Sequence, residues 1–482
     1  MPRRFPRTWL LFSCSTAVLA AISAERPSGR AAGALALTRV TIVDVTAADP
    51  ASSLRRGQTV LIEGQRITRV GATGSVAVPR GVQVVDRPDG YVIPGLWDAH
   101  AHLSQAGPGA LAVYVANGVT TVRDLGGRIS EMQGWKRRIE AGDLVGPRLF
   151  GAGPILEGAW WLDAAMRAAS SDPALRSFPL LEVSPRHRLK SQTDASEAVR
   201  SIVKLGADVI KFRNLRSDEF RAVAAEAKRQ GLPLVGHAPR DIPLGEAARL
   251  GMSSIEHAET VMLSLGTAVD PERRLQLARL ASFGTAITPT LISDVAYRLT
   301  PDTKALAVIN DSANRLDGRR RYIPRLLLDA WKFGLESKRY DAPTDWTESH
   351  RRQVADVQRA RAAGVPLLVG TDLGVSLVYP GFSVHEELAL LVEEARLSPL
   401  EALRAATVNP ARSMRVADRS GQIAAGQRAD LVVLGANPLE NIRSTAQILA
   451  VVLNGRFMAR ADLDAVLLTA ERVAKREAPP VH

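Results

Sequence analysis

Residues 92–103, "VIPGLWDAHAHL", run from an apolar strand pattern into two histidines, His100 and His102, separated by one small residue. In an extended chain residues i and i+2 project from the same face, so two imidazoles at this spacing can grip one ion together. Two polar residues on the wet face of a strand would look the same. The pair gains meaning only from what the other strands carry.

Working outward, eight candidate strands stand in order: "IPGLWDAH", "VTTVRD", "PRLFGAG", "DVIKFR", "PLVGHA", "SSIEHA", "TAITPT" and "PLLVGTD". Amphipathic stretches such as "SDEFRAVAAEAKRQG" lie between them, with apolar residues at helical spacing. This alternation predicts an α/β fold, a (β/α)8 TIM barrel over residues 94–417 with its active site at the C-terminal ends of the strands. A doubly wound open sheet is the alternative, but no glycine-rich phosphate loop follows any strand. Short alternating strands at 36–93 and again at 418–460 predict a small composite β-sandwich domain formed from both chain ends. About 75 residues, roughly 291–365, separate strands seven and eight, where connections usually run to ~2–6 residues. This helical insertion is expected either to cover the barrel mouth or to decorate its edge. Residues 461–482 read as a C-terminal helical tail.

With 482 residues, 46% of them hydrophobic and 23% charged, the chain can bury a sizeable core. The net charge of +12 is scattered, with no basic helix or RNA-binding signature, which argues for a general basic surface and against nucleic acid. Arg3, Arg4 and Arg7 precede the apolar run "TWLLFSCSTAVLAAIS" and then small residues around Ser23 and Ala24. Residues 1–24 therefore read as an export signal, predicting a secreted or periplasmic protein with no membrane span in the mature chain. Its removal takes three arginines and no acid, 12 − 3 = +9, and takes Cys14, the only cysteine.

Polar residues cluster on the strand ends of this scheme. His100 and His102 end strand one, Lys211 lies in strand four, His237 ends strand five, His257 ends strand six and Asp372 ends strand eight. Each alone has a bland explanation; five strands delivering ligand-type side chains to one rim do not. Asp124 and Glu256, also at strand ends, are expected to support ligands through hydrogen bonds. His187 and His350, in polar helix or loop contexts, read as surface residues.

With "PGLWDAHAHL", "GVTTVRDLGG", "GADVIKF", "GHA", "SIEHA", "GTD", "LSPLEALRAATVNPAR" and "GQIAAGQRADLVVL" in order, the chain resembles the amidohydrolase superfamily of metal-dependent hydrolases from about residue 36 to 457. Within it the pattern is most similar to the imidazolonepropionase-like branch, which includes Xaa-Pro dipeptidase-like enzymes. The resemblance implies two divalent metal ions. His100, His102 and Asp372 would hold one, His237 and His257 the other, and Lys211, carboxylated by carbon dioxide, would bridge both. A protonated lysine could not sit between two cations, whereas its carbamate is an anionic oxygen ligand. Zinc is the first expectation for this nitrogen and oxygen mix. A metal-bridging hydroxide would attack the carbonyl, and Asp372 would take its proton and return it to the leaving amine.

Two further residues are expected near the substrate. His385, in "YPGFSVHEEL", follows strand eight, where the branch often has a histidine and where loops face the active site. Arg240, in "GHAPRDIPLG", could grip a substrate carboxylate with both arms of its guanidinium. The implied reaction is hydrolysis of a carbon–nitrogen bond in a small-molecule amide, a dipeptide or an N-acyl amino acid. Hydrolysis of a cyclic amide, lactone or deaminable ring is one alternative, and a non-catalytic binding protein on the same barrel is another. Homo-oligomerisation stays open.

Overall fold

Strands that bury both faces read as near-continuous apolar runs, the mark of a parallel sheet covered by helices. The computed structural model of the chain describes residues 33–171, 185–239, 241–338 and 344–476. The expected export signal with Cys14, Arg240, and residues 477–482 of the expected tail lie outside the described residues.

Both ends of the chain build one eight-stranded sheet. The first part supplies β1 (Leu35–Val43), β2 (Leu54–Glu63), β3 (Arg66–Ala72), β4 (Gln83–Asp86) and β5 (Tyr91–Pro94). The strands of the middle region follow: β6 (Leu96–Ala101), β7 (Val119–Asp124), β8 (Arg148–Gly151), β9 (Ile155–Gly158), β10 (Arg186–Leu189), β11 (Ile210–Arg213), β12 (Leu234–Gly236), β13 (Met252–Glu256) and β14 (Ala286–Thr288). The last part of the chain adds β15 (Leu431–Leu434), β16 (Ile448–Leu453) and β17 (Arg456–Ala459). The sheet order is β17-β16-β15-β5-β1-β2-β3, with β4 also on β1. The two chain ends join where β15 runs antiparallel to β5, Val432 opposite Ile93. Leu35, Val40, Val60, Leu431 and Val452 form a shared core there.

The chain belongs to the (β/α)8 class. Strands β6, β7 and β8 pair in parallel, and β9, β11, β12, β13 and β14 continue the parallel series. β8 and β9 together make the third barrel strand; β10, which the sequence did not suggest, lies on the outer side of β9. The eighth strand, expected at residues 366–372, is held by two isolated parallel bridges, Ile287 to Leu367 and Ala101 to Leu373. Its ladder is irregular because the amides of Thr371 and Asp372 both donate to the His100 carbonyl, at 3.2 and 2.8 Å. Gly370 permits this close approach, since a Cβ there would sit 2.8 Å from His100 Cβ.

The segment between strands seven and eight is helical, with helices Leu291–Asp294, Asp302–Asn310, Arg325–Ser337 and Trp346–Ala362. The last belongs to the outer helix layer: Asp356 pairs with Arg273 at 3.0 Å and Arg361 with Glu401 at 3.0 Å. The helix Arg325–Ser337 instead rests on rim loops. Ser376 Oγ donates to the Trp331 carbonyl at 2.9 Å, Tyr297 hydroxyl donates to the Gly334 carbonyl at 2.9 Å, and the Trp331 ring meets Tyr379 edge-on at 5.4 Å. Among the described residues no helix is long and apolar enough to cross a membrane.

Candidate metal centre

Strand one ends in "DAHAH" and is buried along its whole length. His100 and His102 leave it with rings 5.4 Å apart and nearly perpendicular, and the Nε2 of each lies 3.3 Å from Asp372 Oδ1. The ligand atoms of these three side chains all fall within 4.8 Å of one another. His257, just past β13, packs its ring 4.6 Å from His100 and 4.9 Å from His237, which follows β12. Its Nδ1 is 3.9 Å from Asp372 Oδ2. The four histidines and Asp372 thus gather at one end of the barrel.

Lys211 of β11 is only 1% exposed, and its Nζ has no hydrogen-bond partner. Burial pushes this amine down to about 7, with Glu256 opposing and Arg213 adding to the fall. An amine of that kind is neutral often enough near neutral pH to react with carbon dioxide. An orphaned buried amine close enough to His237 and His257 to act on both fits a bridging carbamate and is hard to explain as a structural lysine. Burial likewise holds the His237 and His257 imidazoles well below their usual range, leaving neutral rings that offer lone pairs. Burial alone would raise the Asp372 carboxyl, but His257 and His100 outweigh it and keep it ionised well below the carboxylate range.

A second layer fixes the ligands. His100 Nδ1 is 2.9 Å from Glu256 Oε2, His102 Nδ1 is 3.2 Å from the Gly126 carbonyl and His257 Nδ1 is 2.9 Å from Thr290 Oγ1. Asp124 acts on His102 at one remove, accepting the amides of Leu103 at 2.6 Å and Gly126 at 3.2 Å. Fully buried Arg123 anchors Glu256, with Nη2 2.9 Å from Oε1 and Nε 2.6 Å from the Ala99 carbonyl. Burial would raise the Glu256 carboxyl, yet Arg123 and then His100 hold it well below its ordinary value. Asp98 ties strand one to strand eight, accepting from Thr371 Oγ1 at 2.6 Å and from the Tyr114 hydroxyl at 2.9 Å. His257, Thr290 and Asp372 all have positive φ, at 67°, 52° and 59°. Backbone strain of this kind persists where the surroundings impose it, and at this rim two of the three strained residues, His257 and Asp372, are candidate ligands. Arg123, Thr290 and Asp98 escaped the sequence reading, although "VRD" and "DAH" place two of them beside residues it singled out.

Two expectations need correction. His385 does not face the centre: its Nδ1 pairs with Thr445 Oγ1 at 3.0 Å and its Nε2 with the Asn117 carbonyl at 3.1 Å, so it links the helix Phe382–Glu393 to neighbouring segments. His350 is not a surface residue. It is 7% exposed, with Nδ1 2.7 Å from Asp294 and Nε2 2.8 Å from Glu394, because the helix Trp346–Ala362 packs into the outer layer. His187 lies half-buried in β10.

The sequence model of the amidohydrolase family matches residues 91–458. An ochratoxinase of Aspergillus niger is 24% identical over 396 residues, covering 73% of this chain and 72% of its own. An imidazolonepropionase of Anaeromyxobacter dehalogenans is 26% identical over 461 residues, covering 90% of this chain and 97% of its own. Among solved structures, a Xaa-Pro dipeptidase with methionine bound in its active site superposes with a TM-score of 0.64 at 21% identity, over 89% of this chain and all of the other. That likeness speaks for the fold alone.

Proposed function

The chain belongs to the amidohydrolase family of hydrolases acting on carbon–nitrogen bonds, and from that premise we propose that it is an exported two-metal enzyme cutting the amide bond of a dipeptide or an N-acyl amino acid. The observation that carries this reading is the gathering of His100, His102, His237, His257 and Asp372 around a buried Lys211 amine without a partner. His100, His102 and Asp372 would hold one ion, His237 and His257 the other, and Lys211 as its carbamate would join both. Zinc suits this donor set.

Bound divalent ions supply Lewis acidity, polarising a carbonyl and acidifying water. The side chains do the rest. Asp372, 3.3 Å from two imidazoles, is placed to accept the proton of the attacking water and pass it to the leaving nitrogen. Glu256, the Gly126 carbonyl and Thr290 fix which ring nitrogen of His100, His102 and His257 faces the centre. The arginine-flanked apolar start of the chain supports export.

The ochratoxinase relative favours linear amides. The imidazolonepropionases favour a second reading, action on a ring. A screen of the zinc-loaded protein against dipeptides, N-acyl amino acids, cyclic amides and lactones separates them. Turnover of linear amides is expected. Turnover of ring substrates alone would replace the proposal, and a metal-loaded chain inert to all of them would point to a non-catalytic binder.

A further inference from the structure

Barrel strand four carries two cationic side chains on one face. Lys211 and Arg213 are two residues apart in β11 and project the same way, with Arg213 about 6–7 Å further along the strand toward the rim. Next to β11 stands β9, and on its far side β10 brings Arg186 alongside. Glu157 of β9 is fully buried and divides its carboxylate: one oxygen pairs with Arg186 Nη1, the other accepts Asn214 Nδ2 at 2.8 Å. One carboxylate therefore stands among two guanidiniums. That of Arg213 makes no ion pair among the described residues and has the Trp161 ring 5.7 Å from its Cζ.

The donors here outnumber the acceptors. Arg186 Nε, Arg213 Nε and Trp160 Nε1 are buried atoms without a hydrogen-bond partner. Trp160 Nε1 belongs to the same place, since a Cβ built on Gly158 would lie 2.8 Å from it and 2.4 Å from the Asn214 carbonyl. Leaving one buried donor unpaired is costly. Three around a single strand end leave room for an acceptor that none of the described residues supplies. The sheet order agrees: Arg213 of β11 lies in register with Glu157 of β9, and β11 stands between β9, with β10 beyond it, and β12, which leads into His237.

We propose that Arg213, flanked by Arg186 and Trp160, forms the subsite for a free carboxylate of the substrate, lying a few bonds from the amide cut at the His100–Asp372 cluster. This assignment rests on the amide-hydrolase reading above. A planar guanidinium fork matches a carboxylate in shape and charge, whereas a neutral carboxamide offers one acceptor and adds donors to a site already rich in them.

The test compares N-acetyl-L-leucine with its carboxamide on the zinc-loaded full chain, by calorimetric titration and, where turned over, by kcat and KM. The wild type is expected to prefer the acid by roughly tenfold or more, the scale of a charge-assisted hydrogen bond. In Arg213→Met that preference should collapse toward unity, the change falling on affinity and KM rather than kcat. Arg213→Lys keeps the charge but not the fork and should fall between. Melting curves establish that each variant is folded; should Arg213→Met fail to fold, Arg213→Lys and Trp160→Phe report the same ratio. A wild type that does not bind the acid, or binds acid and amide alike, overturns the subsite, as does a folded Arg213 variant with the wild-type preference. A chain that binds the acid through Arg213 yet cuts none of the amides in the wider screen would instead refute the amidase reading and leave the subsite standing.

Discussion

The barrel rim and the helical shell beside it both bury histidines, and they treat the second ring nitrogen differently. At the rim, His100 and His102 give Nδ1 to Glu256 and the Gly126 carbonyl and turn Nε2 toward Asp372. In the shell, His350 and His385 have both nitrogens paired within the protein, to Asp294 and Glu394 and to Thr445 and Asn117. Burial does not separate the two groups, for His100 and His385 are both buried. A ligand histidine is recognised by the nitrogen its own fold leaves to the centre.

This contrast predicts different losses. Asp372→Asn, at the rim, should lower kcat by ~10²–10⁴, the scale of a lost general acid and base, while most bound metal stays. An active, metal-loaded Asn variant would remove Asp372 from its role. Glu256→Gln should act one step back, weakening metal binding ~10–100-fold by loosening His100. The matching shell variant, His350→Gln, should leave metal content alone; equal metal loss in both would erase the distinction.

The smallest effect concerns pH. Burial would lower the His350 imidazole, but Asp294 and Glu394 outweigh it and raise it above the usual value. A group raised in the folded state contributes stability that is fully present below its unfolded value of ~6.5 and is lost as pH rises through the folded value. The gap in Tm between wild type and His350→Gln should therefore be widest in mildly acidic buffer and shrink on the alkaline side. A gap that is constant or widens with pH would show that the charged pairs do not form.

How much of this was legible in the sequence follows from which contacts are local. The barrel could be read because its strands are apolar runs with ligand-type residues at their ends, from "DAHAH" to "LVGTD". The composite sheet could be read from alternation at both ends of the chain. What stayed hidden depends on pairing between distant residues: Arg123 meets Glu256 across 133 positions and Asp98 meets Thr371 across 273. The same holds for His350 and His385, whose sequence neighbourhood says nothing of partners 44 to 268 positions away. β10, "RHRL", carries no apolar alternation, and its place is set by pairing with β9. The eighth strand was found, but not its irregularity, which comes from backbone donors turning onto His100.

The central claim is that Lys211 joins two metal ions at the rim, and metal stoichiometry tests it most directly. Purified chain loaded with zinc in the presence of bicarbonate should carry two ions per molecule. Lys211→Ala should lose one or both, along with roughly two to three orders of magnitude in rate. Added formate, supplying the missing carboxylate, should restore part of both. A wild-type chain that binds no stoichiometric metal, or a Lys211→Ala chain that keeps its full metal and its full rate, would contradict the account.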